Sequence, residues 1–294
     1  MLLIFGAGYS GTAVARAAVR AGIAVAATRR GDRAGVAGVD MVPFAAAGAA
    51  IAAATHVLVT VPPQEGGPDE NGDPVLAAYG AALAAAPGLR WVGYLSTTGV
   101  YGDRGGGWVD EGSVVAPGNA RSVRRVAAEK GWAALGARVA VDVFRVGGIY
   151  GPGRSPFDDL KARNLQAGRA RRVDKPGHAF GRVHRDDIAG AVLAAMGQHR
   201  HAGMRVLHLV DDLPAESGDV VAEAARLLGV VAPDPVPFAE AWATMSPMAR
   251  SFWAENKKVS SVATQAALGY RWTYPDYRAG LAAILAEEGV DGSA

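Results

Sequence analysis

The first residues able to do chemistry are three glycines. Gly6, Gly8 and Gly11 stand in the run GAGYSG, with Tyr9 and Ser10 between them, after the apolar stretch Leu2 to Phe5 and before an Ala-rich stretch. Between a strand and a helix this spacing builds a seat for a diphosphate. The first glycine permits the tight turn, the second lets a pyrophosphate approach the backbone, and the third lets helix and strand pack closely. Free N–H groups at the helix start, aided by the helix dipole, then face the phosphates. The expected ligand is a dinucleotide; a tight turn without a ligand is the plain alternative.

The next apolar run, Ile23 to Thr28, ends in Arg29 and Arg30. A site for NAD usually places an acidic residue about 20 residues after the glycines to hold the ribose 2′-hydroxyl. Here Thr28, Arg29 and Arg30 occupy that place, and guanidinium groups suit a 2′-phosphate. NADP is therefore expected over NAD. The alternative is a solvated turn, with Asp32 supplying the ribose contact.

Parallel strands and crossover helices must position such a loop. Short apolar runs at Leu2 to Phe5, Ile23 to Thr28, Met41 to Phe44, His56 to Val61, Trp91 to Ser96 and Val139 to Val146 read as buried parallel strands. Helical stretches near Gly11 to Ala21, Ala45 to Ala54, Val75 to Ala86 and Ser122 to Leu135 alternate with them. A further helix is expected over His184 to Met196, and a late strand over Arg205 to Val210. The expected fold class is α/β, a doubly wound parallel Rossmann-type sheet with a smaller C-terminal substrate lobe. Residues 1–151, rejoined by 181–210, form the dinucleotide-binding domain, and 152–180 with 211–294 form the lobe. From Leu213 onward come helices broken by Pro233, Pro235, Pro237 and Pro247.

Composition narrows the function classes. The 294 residues contain no cysteine, which excludes a disulfide scaffold, a cysteine nucleophile and Cys-ligated metal, and fits a reducing compartment. A net charge of +2 predicts no nucleic-acid partner. Glycine, at 39 residues without a collagen period, suggests many tight turns. Met1 to Phe5 lacks the basic start of a signal peptide. The uncharged run Met41 to Gln64 is interrupted by Gly48 and His56 and ends at Pro62 and Pro63, so it reads as helix and strand rather than a membrane span. A cytoplasmic protein with a small-molecule substrate and no resident metal is expected, with a homodimer left open.

Further motifs follow in order. Ser96 to Gly102 reads STTGVYG, Arg145 to Arg154 reads RVGGIYGPGR and Gly181 to Asp187 reads GRVHRDD, with Lys130 between the first two. Together with the glycine loop, these resemble the extended or atypical short-chain dehydrogenase/reductase family, in its NAD-dependent epimerase/dehydratase branch. The resemblance spans nearly the whole chain. It implies a Ser/Thr, Tyr and Lys acting at one carbon: the phenol exchanges a proton with the substrate, the ammonium lowers the phenol pKa and holds the nicotinamide ribose, and the hydroxyl bonds the reacting oxygen. By position Thr97 takes the hydroxyl's place and Lys130 the lysine's, while Ser96 and Ile149 lie beside the cofactor. Where the tyrosine should stand is Val126, which cannot transfer a proton. Tyr101 or Tyr150 reaching in, His184 or a water as donor, or a non-catalytic NAD(P)-binding sensor or scaffold are the readings left open.

Lys130 and Thr97 also have plain readings, as part of a basic helix face and as a backbone-satisfying hydroxyl. Val61 and Pro62 follow the fourth strand, where the carboxyl ends of an open sheet face the ligand crevice. Arg154, Arg163, Arg169, Arg171, Arg172 and Lys175 hint at an anionic substrate such as a nucleotide-linked sugar, with exposed charge as the alternative. Asp186 and Asp187 read as helix caps rather than catalytic carboxylates. Trp242, Phe252, Trp253, Tyr270, Trp272 and Tyr274 read as lobe core.

Overall fold

The computed structural model describes residues 1–29, 35–65, 72–165 and 171–291. A seven-stranded, all-parallel sheet forms its centre. In chain order its strands are β1 (Leu2–Phe5), β2 (Val25–Arg29), β3 (Val39–Pro43), β4 (His56–Val59), β5 (Trp91–Thr97), β6 (Ala140–Val146) and β7 (Gly203–Leu209). Across the sheet they run β7-β6-β5-β4-β1-β2-β3. The Rossmann-type α/β class expected from the apolar runs is the class observed.

Covered strands must be apolar on both faces, and β1 shows why its sequence reads as an unbroken run. Leu2 and Ile4 enter one core with Val14, Ala15 and Ala18 of α1 (Tyr9–Arg20). Leu3 and Phe5 enter the opposite core, with Leu83 of α3 (Pro74–Ala85) and Trp132 of α4 (Ala120–Ala133). The register Leu2↔Val25 and Leu2↔His56 sets β1 between β2 and β4. The strand order reverses at β1, so the ligand crevice opens outside the carboxyl ends of β1 and β4.

The expected helix over Ala45 to Ala54 is two pieces, a 3₁₀ turn Phe44–Ala46 and the helix α2 (Gly48–Ala53). No helix among the described residues is long and apolar enough to cross a membrane. After β6, the short strand Gly148–Tyr150 pairs in parallel with Arg182–His184. Between them lies α5 (Pro156–Leu165), and after them α6 (Arg185–Met196), which packs beside α1. Pro247 opens the helix Pro247–Trp253 instead of breaking one, at a first-turn position where its missing N–H has no helical partner to lose.

A separate apolar cluster joins Tyr150, Phe157 and Leu160 to Val220, Tyr277, Leu281 and Ile284. Leu268 and Trp272, assigned from the sequence to the lobe, instead enter the core shared by α1 and α6.

Candidate functional site

The three glycines are required for three different reasons. Gly6 has φ +101°, and a Cβ there would lie 2.6 Å from Thr60 Oγ1. A Cβ on Gly11 would lie 2.1 Å from the Gly6 carbonyl oxygen, so the first turn of α1 is pressed against β1. Gly8 is exposed, and a Cβ there would meet nothing within 4 Å. It caps α1 without any side-chain hydrogen bond. The backbone N–H groups of the first turn therefore face an open cradle, the geometry that a diphosphate fills.

Thr28 is buried and works behind the loop: its Oγ1 accepts from Gly6 N–H at 3.2 Å, and its carbonyl accepts from Ala7 N–H at 2.7 Å. Ser10 is buried within α1, and Val61 packs against Gly6 with Pro62 exposed beyond it. The Tyr9 hydroxyl donates to the Pro152 carbonyl at 3.0 Å, and Arg154 and Arg185 lie over its ring. Tyr9 thus ties the glycine loop to the loop after β6.

Arg29 ends β2 and lines a cavity of about 620 Å³ together with Ala7, Gly8 and Thr12. Its Nη1 is buried and has no hydrogen-bond partner among the described residues. An orphaned guanidinium nitrogen beside an open phosphate cradle fits a nicotinamide dinucleotide with an anionic group on its ribose. Arg30 and Asp32 lie outside the described residues.

At the carboxyl end of β5 the side chains divide. Ser96 turns inward, donating to Glu129 Oε1 at 2.5 Å. Thr97, half-buried, accepts from Gly99 N–H at 3.1 Å and keeps its own proton free to donate. Glu129 also takes Arg145 Nε at 3.2 Å and Nη2 at 2.8 Å. Arg145 Nη1 donates to the Tyr101 hydroxyl at 2.7 Å, which lies 2.6 Å from His208 Nε2. His208 Nδ1 lies 2.7 Å from the Ser260 carbonyl, so Nδ1 carries the ring proton and Nε2 accepts from Tyr101.

Tyr101 is therefore fully buried and does not open on the crevice. Burial raises its pKa against the opposing pull of Arg145, which makes it no activated base. Tyr150 is also buried, its hydroxyl 3.4 Å from the Asp276 carbonyl, and its pKa is raised chiefly by burial. His184 lies against the rings of Tyr150 and Tyr274 and is 1 % exposed. Its Nδ1 accepts from Asp186 N–H at 3.2 Å, so the histidine caps α6. The expected capping role of Asp187 is corrected: its carboxylate accepts from the Tyr270 hydroxyl and from the N–H groups of Thr273 and Tyr274. It anchors a distant loop.

Lys130 is exposed. Val123, seven residues earlier and so two turns away on the same stripe, is 51 % exposed. One residue is a 100° rotation on a helix, which is why Glu129 goes inward and Lys130 outward. The cation that α4 does turn to the sheet is Arg125, four residues before Glu129. Its Nη1 donates to the Leu95 carbonyl at 2.7 Å and to the Tyr94 hydroxyl at 3.0 Å. Sequence reading missed it, although its spacing from Glu129 was available. Val126 packs against the cluster of Val100, Tyr101, Val109, Val210 and Val259. Ile149 packs against the core shared by α1 and α6.

The loop that follows Gly102 is held by a segment the sequence reading did not single out. The Asn256 carbonyl accepts from Arg104 and Gly106 N–H at 3.0 Å each, and its Nδ2 donates to the Gly177 carbonyl at 2.9 Å. Lys257 Nζ donates to the Gly102 carbonyl at 2.9 Å. His178 stacks on Trp253, and burial with the nearby Lys175 lowers its pKa to about 4. The cations expected to gather around an anionic substrate are dispersed: Arg171 donates to Thr244, Lys175 donates to the Trp253 carbonyl and sits over the Phe238 ring, and Arg154 lies by Tyr9. The Arg172 side chain lies beside Gly218. Arg169 lies outside the described residues, as does the Arg163 side chain.

Among the described residues, no group of three or more His, Asp or Glu side chains could hold a metal ion. No family model matches the sequence, and no curated protein matches it. Solved structures do. A functionally unknown conserved protein from Silicibacter pomeroyi DSS is 40% identical over 98% of each chain, with a TM-score of 0.85. A protein from Methylobacillus flagellatus, provisionally described as an NAD-dependent epimerase/dehydratase, is 27% identical over 98% of each chain, with a TM-score of 0.73. A human epimerase family protein crystallised with NADPH shares the fold at 20% identity, a TM-score of 0.71, and coverage of 97% of this chain and 99% of that one.

Proposed function

Because the chain belongs to the extended or atypical short-chain dehydrogenase/reductase family, in its NAD-dependent epimerase/dehydratase branch, we propose that it is an NADP-dependent oxidoreductase or epimerase. It acts on a hydroxyl or carbonyl carbon of a small polar molecule, and a nucleotide-linked sugar is the substrate class the family suggests. The observation that carries the reading is the open face of Gly8 between two glycines that are closed by packing.

The glycine-loop N–H groups take the diphosphate, and Arg29 takes the 2′-phosphate. When bound, the dinucleotide supplies the hydride acceptor or donor. Thr97 donates its hydroxyl proton to the reacting oxygen and so orients that carbon. Arg125 sets a fixed positive charge behind Thr97. Asn256 and Lys257 close the far side by holding the loop that follows Gly102.

A second reading, a non-catalytic NAD(P)-binding sensor or scaffold, is favoured by one observation: the two tyrosines nearest the expected site, Tyr101 and Tyr150, are both buried, and the Tyr101 hydroxyl is fully engaged. Hydride transfer from 4-deuterated NADPH to a panel of carbonyl compounds and oxidised sugars separates the two. The enzyme reading expects label in a product, lost in Thr97→Ala and kept in Lys130→Ala. Tight NADPH binding with no labelled product across the panel would leave the sensor.

A further inference from the structure

The cavity beside Gly8 continues along α1. Thr12, Arg16 and Arg20 line it at four-residue steps, about 6 Å apart along the helix axis, and Arg29, Met41 and Val36 face them. Its two acidic residues, Asp186 and Glu287, are both engaged by Arg185, at 3.2 Å in each case. Arg185 is further committed to the Tyr9 ring. Arg16, Arg20 and Arg29 form no ion pair among the described residues. Among the described residues the cavity thus carries an uncompensated positive charge on the side where the adenosine ribose would leave the glycine cradle.

We propose that Arg16 is a second guanidinium clamp for the 2′-phosphate of NADP, acting across the cavity from Arg29. The inference rests on the dinucleotide reading above and adds the residue that sets the preference between the two cofactors. Helical side chains lean toward the helix N-terminus, which brings Arg16 back toward Gly8 and Thr12. A phosphomonoester carries close to two charges at neutral pH, and one guanidinium leaves it half balanced. Arg29 ends a strand and Arg16 sits about two turns inside a helix, so the two approach from different walls, as a tetrahedral group requires. Arg20 stands a further turn away and adds only to the field.

The test is calorimetric titration of the full chain and its Arg16→Gln and Arg16→Lys variants with NADPH and with NADH, with thermal midpoints measured alongside. Loss of one charge-assisted phosphate contact should weaken NADPH about tenfold in Arg16→Gln. NADH should stay within about twofold, and Arg16→Lys should fall between. Equal loss for both cofactors, or no loss for either, overturns the clamp. If the unaltered chain prefers NADPH and Arg29→Gln abolishes that preference while Arg16→Gln does not, the clamp alone fails. If the unaltered chain binds neither cofactor, the dinucleotide reading fails first and takes the clamp with it; if it binds NADH as tightly as NADPH, the dinucleotide reading stands while the NADP preference and the clamp both fail.

Discussion

The two ends of the crevice are built on opposite terms. At the glycine-loop end, Gly8 faces empty space and Arg29 holds a buried nitrogen without a partner among the described residues. Around Thr97, the charged and hydroxyl groups hold one another: Ser96, Glu129, Arg145, Tyr101 and His208 form one continuous hydrogen-bonded chain. The first end is incomplete until a ligand arrives, whereas the second is complete already. The open glycine loop and the closed network are therefore separable, and substitutions should divide along that line.

The largest effect should come from the closed end. Glu129→Ala leaves the Arg145 guanidinium, whose side chain is 8 % exposed, without its counter-charge. Breaking one side of such a buried pair costs about 3–5 kcal/mol. Urea unfolding should show it, and a loss under about 1 kcal/mol would mean that water replaces the carboxylate and that the network is not closed.

Next comes a paired substitution in the glycine loop. Gly11→Ala must push apart α1 and β1 and should cost about 1–3 kcal/mol. Gly8→Ala meets no protein atom, so its melting point should stay near that of the unaltered chain while dinucleotide affinity falls about tenfold or more. Equal behaviour of the two alanines would erase the distinction between a packing glycine and a ligand-facing one.

A third effect is a pH dependence away from both ends. Asp211 is buried with neither carboxylate oxygen bonded among the described residues, and burial raises its pKa to about 8. Its folded pKa lies above the unfolded one, so its stabilising contribution is full below about pH 4 and is lost as pH rises toward 8. Relative to Asp211→Asn, the unaltered chain should lose up to about 1.4 kcal/mol per pH unit across that window, read from melting curves at pH 5 and pH 8. A constant difference between the two proteins would show that Asp211 is ionised throughout.

Legibility in the sequence follows the same division. Central parallel strands are buried on both faces, so Leu2 to Phe5 and Trp91 to Ser96 announce themselves as unbroken apolar runs within a residue of their observed ends. The glycine loop is legible because each glycine has a local cause. The region around Thr97 is not, since it is assembled from residues far apart in the chain. Nothing near Tyr101 announces that His208 will meet it, and nothing near Gly177 announces Asn256. On α4, a run of Arg121, Arg124, Arg125, Glu129 and Lys130 looks like one basic face until the helix is placed against β5. The histidine cap on α6 was hidden by two aspartates better known for that role.

The parallel pairing of Lys258–Val259 with Trp108–Val109 bears on how the molecule assembles. During synthesis the glycine loop and the strands around it emerge early, yet the partner of Trp108–Val109 comes about 150 residues later. A nascent chain halted before residue 254 would lack both that pairing and the Leu268 and Trp272 side chains packed into the core under α1, so the glycine loop gains its full support only when the C-terminal segment is in place.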